Sequence, residues 1–336
     1  MQEKNNFIIP IAKQSGMTSF ASMGVVKKAI NTKKVGHTGT LDKFADGLLI
    51  LLSGKLTRLA DIISEGTKIY DVWCEFGLQT DSLDPEGQVI LKKELPQYKN
   101  ILEVLPSFKG RIMQIPPEFS ALKIAGKRAS DRIRNGENIQ IKPRPIEIYE
   151  LDIKTLISPC GILFYPEDCK ADTKIKKLRM TVSCSKGTYI RSLVRDIAAN
   201  AGSCASVAAL RRTKAGCFNL EDAAGFSLLD EFSNQPSDIC EEKKHYADKI
   251  PEISETEILQ KALIFTAYNA QNLGINVLNL KEKYTGNFYN GQKINPTWFE
   301  DFDNRNLKGE TAVFYKEECV GLIQVNNNYF KYEAVF

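Results

Sequence analysis

The chain has 336 residues, of which 43% are hydrophobic and 26% charged, and these fractions exclude wholesale disorder and fibrous repeats. Its formal net charge is only +4, so charge alone does not indicate a polyanionic partner. The longest aliphatic run, Leu48 to Leu52, is far shorter than the roughly 20 residues that cross a bilayer, and the N-terminus lacks a signal-peptide pattern. We therefore predict a cytoplasmic protein without a membrane partner.

Candidate metal ligands and redox-active cysteines are sparse. Eight cysteines are scattered without a C-x-x-C pair, which favours reduced thiols over a zinc site. The two histidines, His37 and His245, are too far apart in sequence to indicate a His-rich site. The sequence also lacks a glycine-rich phosphate loop. These observations predict an activity that uses neither a metal nor a cofactor.

Hydrophobic periodicity predicts alternating helices and strands. Thr18 and Ser19 suit a helix N-cap, because apolar residues recur after them at helical spacing. The stretch 36–42 combines two glycines with hydroxyl and carboxylate side chains, which favours an irregular loop, and such loops often carry function. In chain order we predict a helix up to about residue 31, the loop at 36–42, a buried strand at 47–52, a helix at 57–65, strands at 69–76 and 178–184, a helix at 190–201 and a strand at 206–210.

A change of composition predicts two domains. Residues 234–242 are polar and acidic, which indicates a linker. Beyond it, short β-like runs at 311–315 and 320–325 predict a small β-rich module. We therefore predict an α/β fold of the α+β type, with a core domain at 1–245 and a C-terminal module at 246–336.

The loop Gly36-His-Thr-Gly-Thr-Leu-Asp42 resembles the signature G-H-x-G-x-L-D-P-x-A-x-G of bacterial tRNA pseudouridine synthases of the TruB family. Further motifs match in order and spacing over most of residues 12 to 226, which argues against chance similarity. These motifs are Gly54-x-x-Thr57-Arg58, Lys68-x-Tyr70, Gly77-x-x-Thr80-Asp81-x-x-Asp84-x-x-Gly87, Pro116-Pro117-x-Phe119-Ser120-Ala121-x-Lys123, Cys184-Ser-Lys-Gly-Thr-Tyr-Ile-Arg191-Ser192 and Leu210-Arg211-Arg212.

The chain departs from the family pattern in a few places. Lys43 follows the aspartate where the family has proline, which changes the stiffness of the turn. Gln14 replaces the proline of the opening Lys-Pro-x-Gly-x-Thr-Ser pattern, and residues 158–177 look inserted. The C-terminal region resembles a PUA-type RNA-binding module only through Asn290-Gly291-Gln292 and Val320-Gly321. Neither substitution removes a reactive group.

The resemblance implies a mixed, largely antiparallel sheet of the pseudouridine synthase type with flanking helices. It also implies conversion of uridine to pseudouridine at position 55 of the tRNA T loop, by base flipping, glycosidic cleavage and reattachment through C5. Asp42 matches the catalytic aspartate, which either attacks the anomeric carbon or removes the 2′ proton, and the sequence leaves both routes open. Arg191 matches the arginine that pairs with this carboxylate, and Tyr70 matches the tyrosine that stacks on uracil.

The resemblance also assigns contacts to the substrate. Tyr189 and Leu210 match residues that line the uracil pocket, and His37 matches a histidine that contacts the extruded nucleotide; taken singly, each would be an ordinary core or loop residue. Residues 118–145 resemble the family's RNA-gripping insertion, in which cations meet phosphates. The RNA-binding cations predicted in this way are Lys13, Lys123, Lys127, Arg128, Arg132, Arg134, Arg211 and Arg212.

Two other functions are compatible with the same motifs. A tRNA-binding folding chaperone would not depend on Asp42, whereas the presence of Asp42, Tyr70 and Arg191 together favours chemistry. A guide-RNA-dependent pseudouridine synthase subunit is the second alternative, but the basic tails common in that branch are absent, so no guide RNA is expected. The predicted partner is the T arm of tRNA, and the predicted state is a monomer.

Overall fold

The computed structural model describes residues 6–120, 122–124, 127–128, 132, 141–232, 236–239, 250–300, 302, 307–326 and 329–336. Its strands are β1 (Phe7–Lys13), β2 (Val35–His37), β3 (Asp46–Ser53), β4 (Lys68–Phe76), β5 (Leu78–Thr80), β6 (Val89–Lys92), β7 (Gly110–Gln114), β8 (Lys123–Ile124), β9 (Lys127–Arg128), β10 (Arg144–Ile157), β11 (Leu163–Phe164), β12 (Lys177–Cys184), β13 (Ala205–Ala215), β14 (Phe218–Asn219), β15 (Leu263–Ile264), β16 (Asn276–Asn279), β17 (Lys308–Tyr315), β18 (Glu318–Asn326) and β19 (Tyr329–Val335). Its α-helices are α1 (Met23–Ala29), α2 (Ala60–Ile63), α3 (Tyr98–Val104), α4 (Ile190–Asn200), α5 (Glu255–Lys261), α6 (Ala267–Asn272) and α7 (Thr285–Tyr289). Across these ranges, every helix is too short or too polar to span a bilayer.

The larger sheet has the strand order β11-β10-β12-β4-β13-β3-β1-β15, with β7 paired to β10, β2 to β3 and β14 to β13. Its described pairings are antiparallel except for β3 with β13, which run parallel. In that parallel register Asp46 lies opposite Arg211, and Gly47 lies opposite Arg212. The start of β3 therefore brings the loop that precedes it next to the end of β13.

Helix α4 covers one face of this sheet. Ile190, Leu193, Val194 and Ile197 recur at helical spacing and are buried against strand residues such as Val72 on β4. Successive residues of a strand point to opposite faces, so Val72 faces the helix while the next residue packs in a separate cluster on the other side. The first turn of α4, which includes Ile190, consequently packs on the face of the sheet to which Val72 belongs.

The C-terminal region forms a second sheet in the order β16-β17-β18-β19. Phe265, Ala312, Phe314 and Leu322 of this region share a buried cluster with residues of β1 and β3, including Ile50. The mixed sheet with flanking helices and a small β-rich C-terminal module confirm the predicted fold class. The boundary expected near residue 245 falls outside the described residues, while β15, soon after it, pairs with β1 of the larger sheet.

Candidate active site

The loop that carries Asp42 is held by buried neighbours. Ser19 contacts both backbone groups of Leu41, because its Oγ accepts from the Leu41 amide at 2.9 Å and donates to the Leu41 carbonyl at 3.1 Å. Phe44 and Ala45, which follow the aspartate, are buried in the cluster beneath α4. These anchors leave the Asp42 side chain 34% exposed, and it faces two adjoining clefts.

Lys13 also supports this loop, although we predicted that it would face RNA. Its side chain is completely buried, and its ammonium donates to backbone carbonyls that include Lys43 at 3.3 Å and Ala45. Burial lowers the pKa of Lys13 to about 7, while the carboxylates of Asp46 and Asp42 oppose that shift. Because the ammonium is enclosed by protein, its position corrects the prediction of a phosphate contact.

Arg191, from the first turn of α4, meets Asp42 at the edge of both clefts. Its Nη2 donates to Asp42 Oδ1 at 2.9 Å, and its Nε lies 2.9 Å from Asp42 Oδ2 as an ion pair without hydrogen-bond geometry. Nη2 also donates to the Phe119 carbonyl at 3.1 Å, and Nη1 donates to the Ser82 carbonyl at 2.9 Å. Contacts on both edges of the guanidinium therefore fix its plane, and the structure brings the predicted pair together.

A second carboxylate, Asp84, shares the same guanidinium. Arg191 Nη1 donates to Asp84 Oδ2 at 3.3 Å, while Asp84 Oδ1 accepts from the Ser82 hydroxyl at 2.6 Å and from the Glu86 amide at 3.0 Å. Burial raises the pKa of Asp84, and Arg191 and Ser82 offset part of that shift. One buried cation therefore lies between two carboxylates, of which Asp42 is the more exposed.

The residues predicted to contact uracil converge in one cleft of about 380 Å³. Tyr70 on β4, Tyr189 just before α4 and Leu210 on β13 line it together with Asp42 and Arg191. Burial raises the pKa of Tyr70, so its phenol is neutral at physiological pH. This Tyr70 cleft therefore offers a planar aromatic ring and an aliphatic wall beside a carboxylate, which suits a flat heterocycle attached to a sugar.

His37 lies in the neighbouring cleft of about 490 Å³, which Asp42 and Arg191 also line. Burial lowers the pKa of His37, and the Arg212 guanidinium lowers it further, so the imidazole is uncharged at neutral pH. The structure thus places His37 close to the aspartate but in a different cleft from Tyr70.

Arg212, predicted as an RNA-binding cation, is buried within the Tyr70 cleft. Its side chain is 2% exposed, and its Nε donates to the Leu48 carbonyl at 2.7 Å. Because β3 runs parallel to β13, the backbone at position 47 comes so close to the Arg212 backbone that only glycine fits there. Gly47 has a φ of +105°, and a Cβ there would lie 2.5 Å from the Arg212 carbonyl oxygen.

Comparison with known proteins identifies the family. A family model described as TruB family pseudouridylate synthase (N terminal domain) matches residues 27–190. The chain is 52% identical to tRNA pseudouridine synthase B of Treponema denticola over 354 aligned positions, which cover 100% of this chain and 99% of that protein. The protein of the same name from Treponema pallidum strain Nichols is 37% identical, with 98% and 97% covered. The chain belongs to the TruB family.

Solved structures that resemble this TruB-family chain agree with its fold. A chain in the archaeal box H/ACA sRNP Nop10-Cbf5 complex superposes with a TM-score of 0.62 at 18% identity, over 99% of this chain and 86% of that one. A chain in a Cbf5-Nop10-Gar1 complex gives a TM-score of 0.61, also at 18% identity, over 98% and 84%. The sequence relatives confirm the predicted family, and membership makes the chain a pseudouridylate synthase, an isomerase of uridine.

The remaining cations predicted to bind RNA differ in position. Arg211 is buried and donates to both Asp46 carboxylate oxygens at 2.7 Å, so it is paired inside the protein rather than displayed to phosphates. Within the 118–145 insertion, Arg132 is half-buried and Arg134 lies outside the described residues. For Lys123, Lys127 and Arg128 the structure gives the backbone, which forms the antiparallel pair β8–β9. Their contact with RNA stays a prediction.

Other residues of the site were not predicted. Gln114 fixes the Tyr189 backbone, since its Oε1 accepts from the Tyr189 amide at 2.9 Å and its Nε2 donates to the Tyr189 carbonyl at 3.1 Å. Lys68 lines the Tyr70 cleft, and burial lowers the pKa of its ammonium to about 8. Lys68 and Asp84 stand within matching motifs, which was the available signal, whereas nothing local distinguishes Gln114. Among the described residues, no three His, Cys, Asp or Glu side chains gather as metal ligands.

Proposed function

We propose that this TruB-family enzyme isomerises the uridine at position 55 in the T loop of tRNA. The observation that carries the proposal is the Asp42–Arg191 pair at the edge of the Tyr70 cleft. A carboxylate held beside a cleft for a flat base meets the chemical need of breaking and remaking a glycosidic bond. The choice of tRNA is supported by a relative 52% identical, which is named tRNA pseudouridine synthase B.

The Asp42 carboxylate starts the reaction either by attacking C1′ or by removing the 2′ proton. In both routes the C1′–N1 bond breaks and its electron pair leaves with uracil. The uracil then turns and C5 bonds to C1′; in the first route this displaces the Asp42 carboxylate from C1′, and in the second the proton held by Asp42 returns to C2′. C5 finally loses its proton, and N1 takes one up. Arg191 orients the Asp42 carboxylate, and Tyr70 holds the plane of the base while its neutral hydroxyl lies near the base.

Substrate recognition requires that the uridine leave its stack, because C1′ and C5 are inaccessible within a folded T loop. Tyr189 and Leu210 then line the pocket of the base, and His37 contacts the nucleotide from the adjoining cleft. The cations of the 118–145 insertion contact phosphates, and residues 246–336 act as a PUA-like RNA-binding module. We place this monomeric enzyme in the cytoplasm, where its tRNA substrates occur, without a guide RNA.

A tritium-release assay tests the proposal directly. Tritium at C5 of uridine is lost when C5 joins C1′, so purified enzyme should release one equivalent from a tRNA transcript and none from a transcript with cytidine at position 55. Asp42→Asn should abolish release while tRNA binding persists, since the amide keeps the shape but loses the nucleophile or base. Release by this variant at near wild-type rate would refute the catalytic role of Asp42, whereas tRNA binding by the wild-type protein without any release would support the chaperone function. A requirement for an added guide RNA would support the guide-dependent alternative.

A further inference from the structure

The Arg212 guanidinium is a buried cation with unused hydrogen-bonding capacity. Its Nε is occupied by the Leu48 carbonyl at 2.7 Å, but its Nη2 is buried without a hydrogen-bond partner. Within the described ranges, no carboxylate forms an ion pair with it, in contrast to Arg211, which pairs with Asp46 on the same strand. A buried N–H without a partner is destabilising, and an acceptor oxygen of a ligand in the adjoining cleft would satisfy it.

The surroundings of Arg212 show which part of a ligand it would meet. It lines the Tyr70 cleft together with Leu210, two residues earlier on β13. In the sheet register Arg212 lies directly opposite Tyr70. Its charge and a side-chain hydrogen bond with the Tyr70 phenol lower the pKa of that phenol against the larger effect of burial, while Nη2 stays without a partner. The guanidinium therefore lies beside the Tyr70 ring, which is proposed to stack on the uracil. Because the Leu48 carbonyl holds Nε, the guanidinium is restrained from extending toward the protein surface.

The proposed reaction creates a negative charge at this place. When the C1′–N1 bond breaks, its electron pair stays on N1, and conjugation spreads the charge of the detached uracil over its carbonyl oxygens O2 and O4. Asp42 and Arg191 act on the ribose side of that bond, and neither neutralises the base. A fixed donor aimed at an oxygen where charge develops is worth more than one that must first shed water, because no reorganisation is needed.

We propose that Arg212 is a catalytic residue that donates through Nη2 to a carbonyl oxygen of the flipped uracil and stabilises the uracil anion released from C1′. This role rests on the proposed function of the site. It differs from the general RNA-binding role expected of Arg212 from the sequence, because the contact strengthens during the reaction instead of anchoring the RNA.

Two variants and two substrates test this role. Arg212→Gln removes the charge, and Arg212→Lys keeps it without the planar fork. Removing one preorganised donor typically costs roughly 100-fold in rate, so Arg212→Gln should slow single-turnover cleavage of uridine by about that factor, with the tRNA dissociation constant unchanged within about twofold. With 5-fluorouridine at the target position, fluorine stabilises the departing anion and reduces the need for the arginine. The same variant should then lose only about 10-fold, measured as disappearance of the N-glycoside.

Lys214→Met provides the matched control. It removes a cation that lies on the same strand as Arg212 but lines a different cleft. It should leave the rates on both substrates within about twofold of wild type. If Arg212→Gln loses its native circular dichroism spectrum, Arg212→Lys, which retains the buried charge, carries the comparison and should fall between wild type and the glutamine variant.

Three outcomes would overturn the proposal. Equal losses on both substrates would mean that Arg212 only supports the structure of the cleft. A raised dissociation constant with a flatter salt dependence and an unchanged saturating rate would make it a phosphate contact. A wild-type rate in Arg212→Gln would remove it from the reaction. Failure of the proposed function is distinguishable, because the wild-type enzyme would then release no tritium from unmodified substrate.

Discussion

Asp84→Asn is expected to slow pseudouridine formation by about tenfold without destabilising the protein at neutral pH. The variant removes one of the two carboxylates that share Arg191, which would then interact with Asp42 alone. The hydrogen bond from Arg191 Nη1 to Asp84 Oδ2 measures 3.3 Å. Strong charge-assisted bonds measure about 2.7–2.9 Å, so we use the lower end of the range of roughly 1.5–3 kcal/mol for bonds to charged groups. A loss of about 1.5 kcal/mol corresponds to about tenfold in rate.

The stability of the same variant should change in the opposite direction. Burial raises the pKa of Asp84 in the folded protein, so its favourable contribution is present in acid, below the ordinary aspartate pKa near 4, and is lost as pH rises through the raised value. At pH 7 the ionised carboxylate therefore reduces the free energy of unfolding. Because asparagine cannot ionise, Asp84→Asn should be at least as stable as wild type at pH 7, and its relative advantage should grow between about pH 4 and neutrality.

Single-turnover tritium release at saturating tRNA and thermal unfolding at several pH values measure both effects. Asp71→Asn is the matched control, because Asp71 accepts from Arg179 Nη2 at 2.8 Å in a pair outside the catalytic clefts. That variant should lose stability and keep its rate within about twofold. An unchanged rate in Asp84→Asn, or a lowered melting temperature at pH 7 that accounts for the slower reaction, would refute the role assigned to Asp84.

The remaining predictions concern the Asp42–Arg191 pair, the response to a metal chelator and the binding of tRNA. Arg191→Lys should impair catalysis more than binding, since a point charge cannot reproduce the two-sided contact with Asp42; a loss of affinity with an unchanged chemical step would reassign Arg191 to phosphate binding. Enzyme treated with a chelator should retain full turnover on prefolded tRNA, and strict dependence on an added divalent metal would contradict this. The double variant Lys127→Ala, Arg128→Ala should weaken tRNA binding and reduce the logarithmic salt slope by roughly 0.7 to 0.9 per lost contact, while coincident salt titrations would exclude the pair from the interface.

Elements with strong periodicity were predicted well from the sequence. Helix α4 was expected at 190–201 and spans Ile190–Asn200, and the strand expected at 178–184 spans Lys177–Cys184. The helix is framed by local signals, namely an apolar stripe at helical spacing and a glycine after its last turn. By contrast, the helix expected from Thr18 begins only at Met23. Thr18 Oγ1 accepts from the Ala21 amide at 3.0 Å, but residues 19–22 form turns and Ser19 binds the backbone of Leu41 instead of capping a helix.

Long-range pairing explains what the sequence could not predict. The strand expected at 206–210 continues to Ala215, and the cations within this extension were interpreted as RNA contacts. Arg211 and Arg212 are buried because β13 pairs with β3 and β4, two strands more than 100 residues away in sequence. A local pattern of charges cannot distinguish a basic surface from cations buried in a sheet, since the distinction depends on which strands become neighbours. The same limit applies to Lys13, because two of its carbonyl partners, Lys43 and Ala45, lie in a loop that is distant in sequence.

The lysine at position 43 shows how the Asp42 loop is restrained without the proline typical of the family. A proline would fix one backbone dihedral angle at this point. Here the Lys43 carbonyl accepts from the Gly16 amide at 2.8 Å and from the buried ammonium of Lys13 at 3.3 Å. The Lys43 ammonium also pairs with Glu86 at 2.9 Å, but this pair is partly exposed and such pairs contribute roughly 0–1 kcal/mol. The backbone contacts from Gly16 and Lys13 therefore restrain the loop directly after Asp42, at the position where the family has proline.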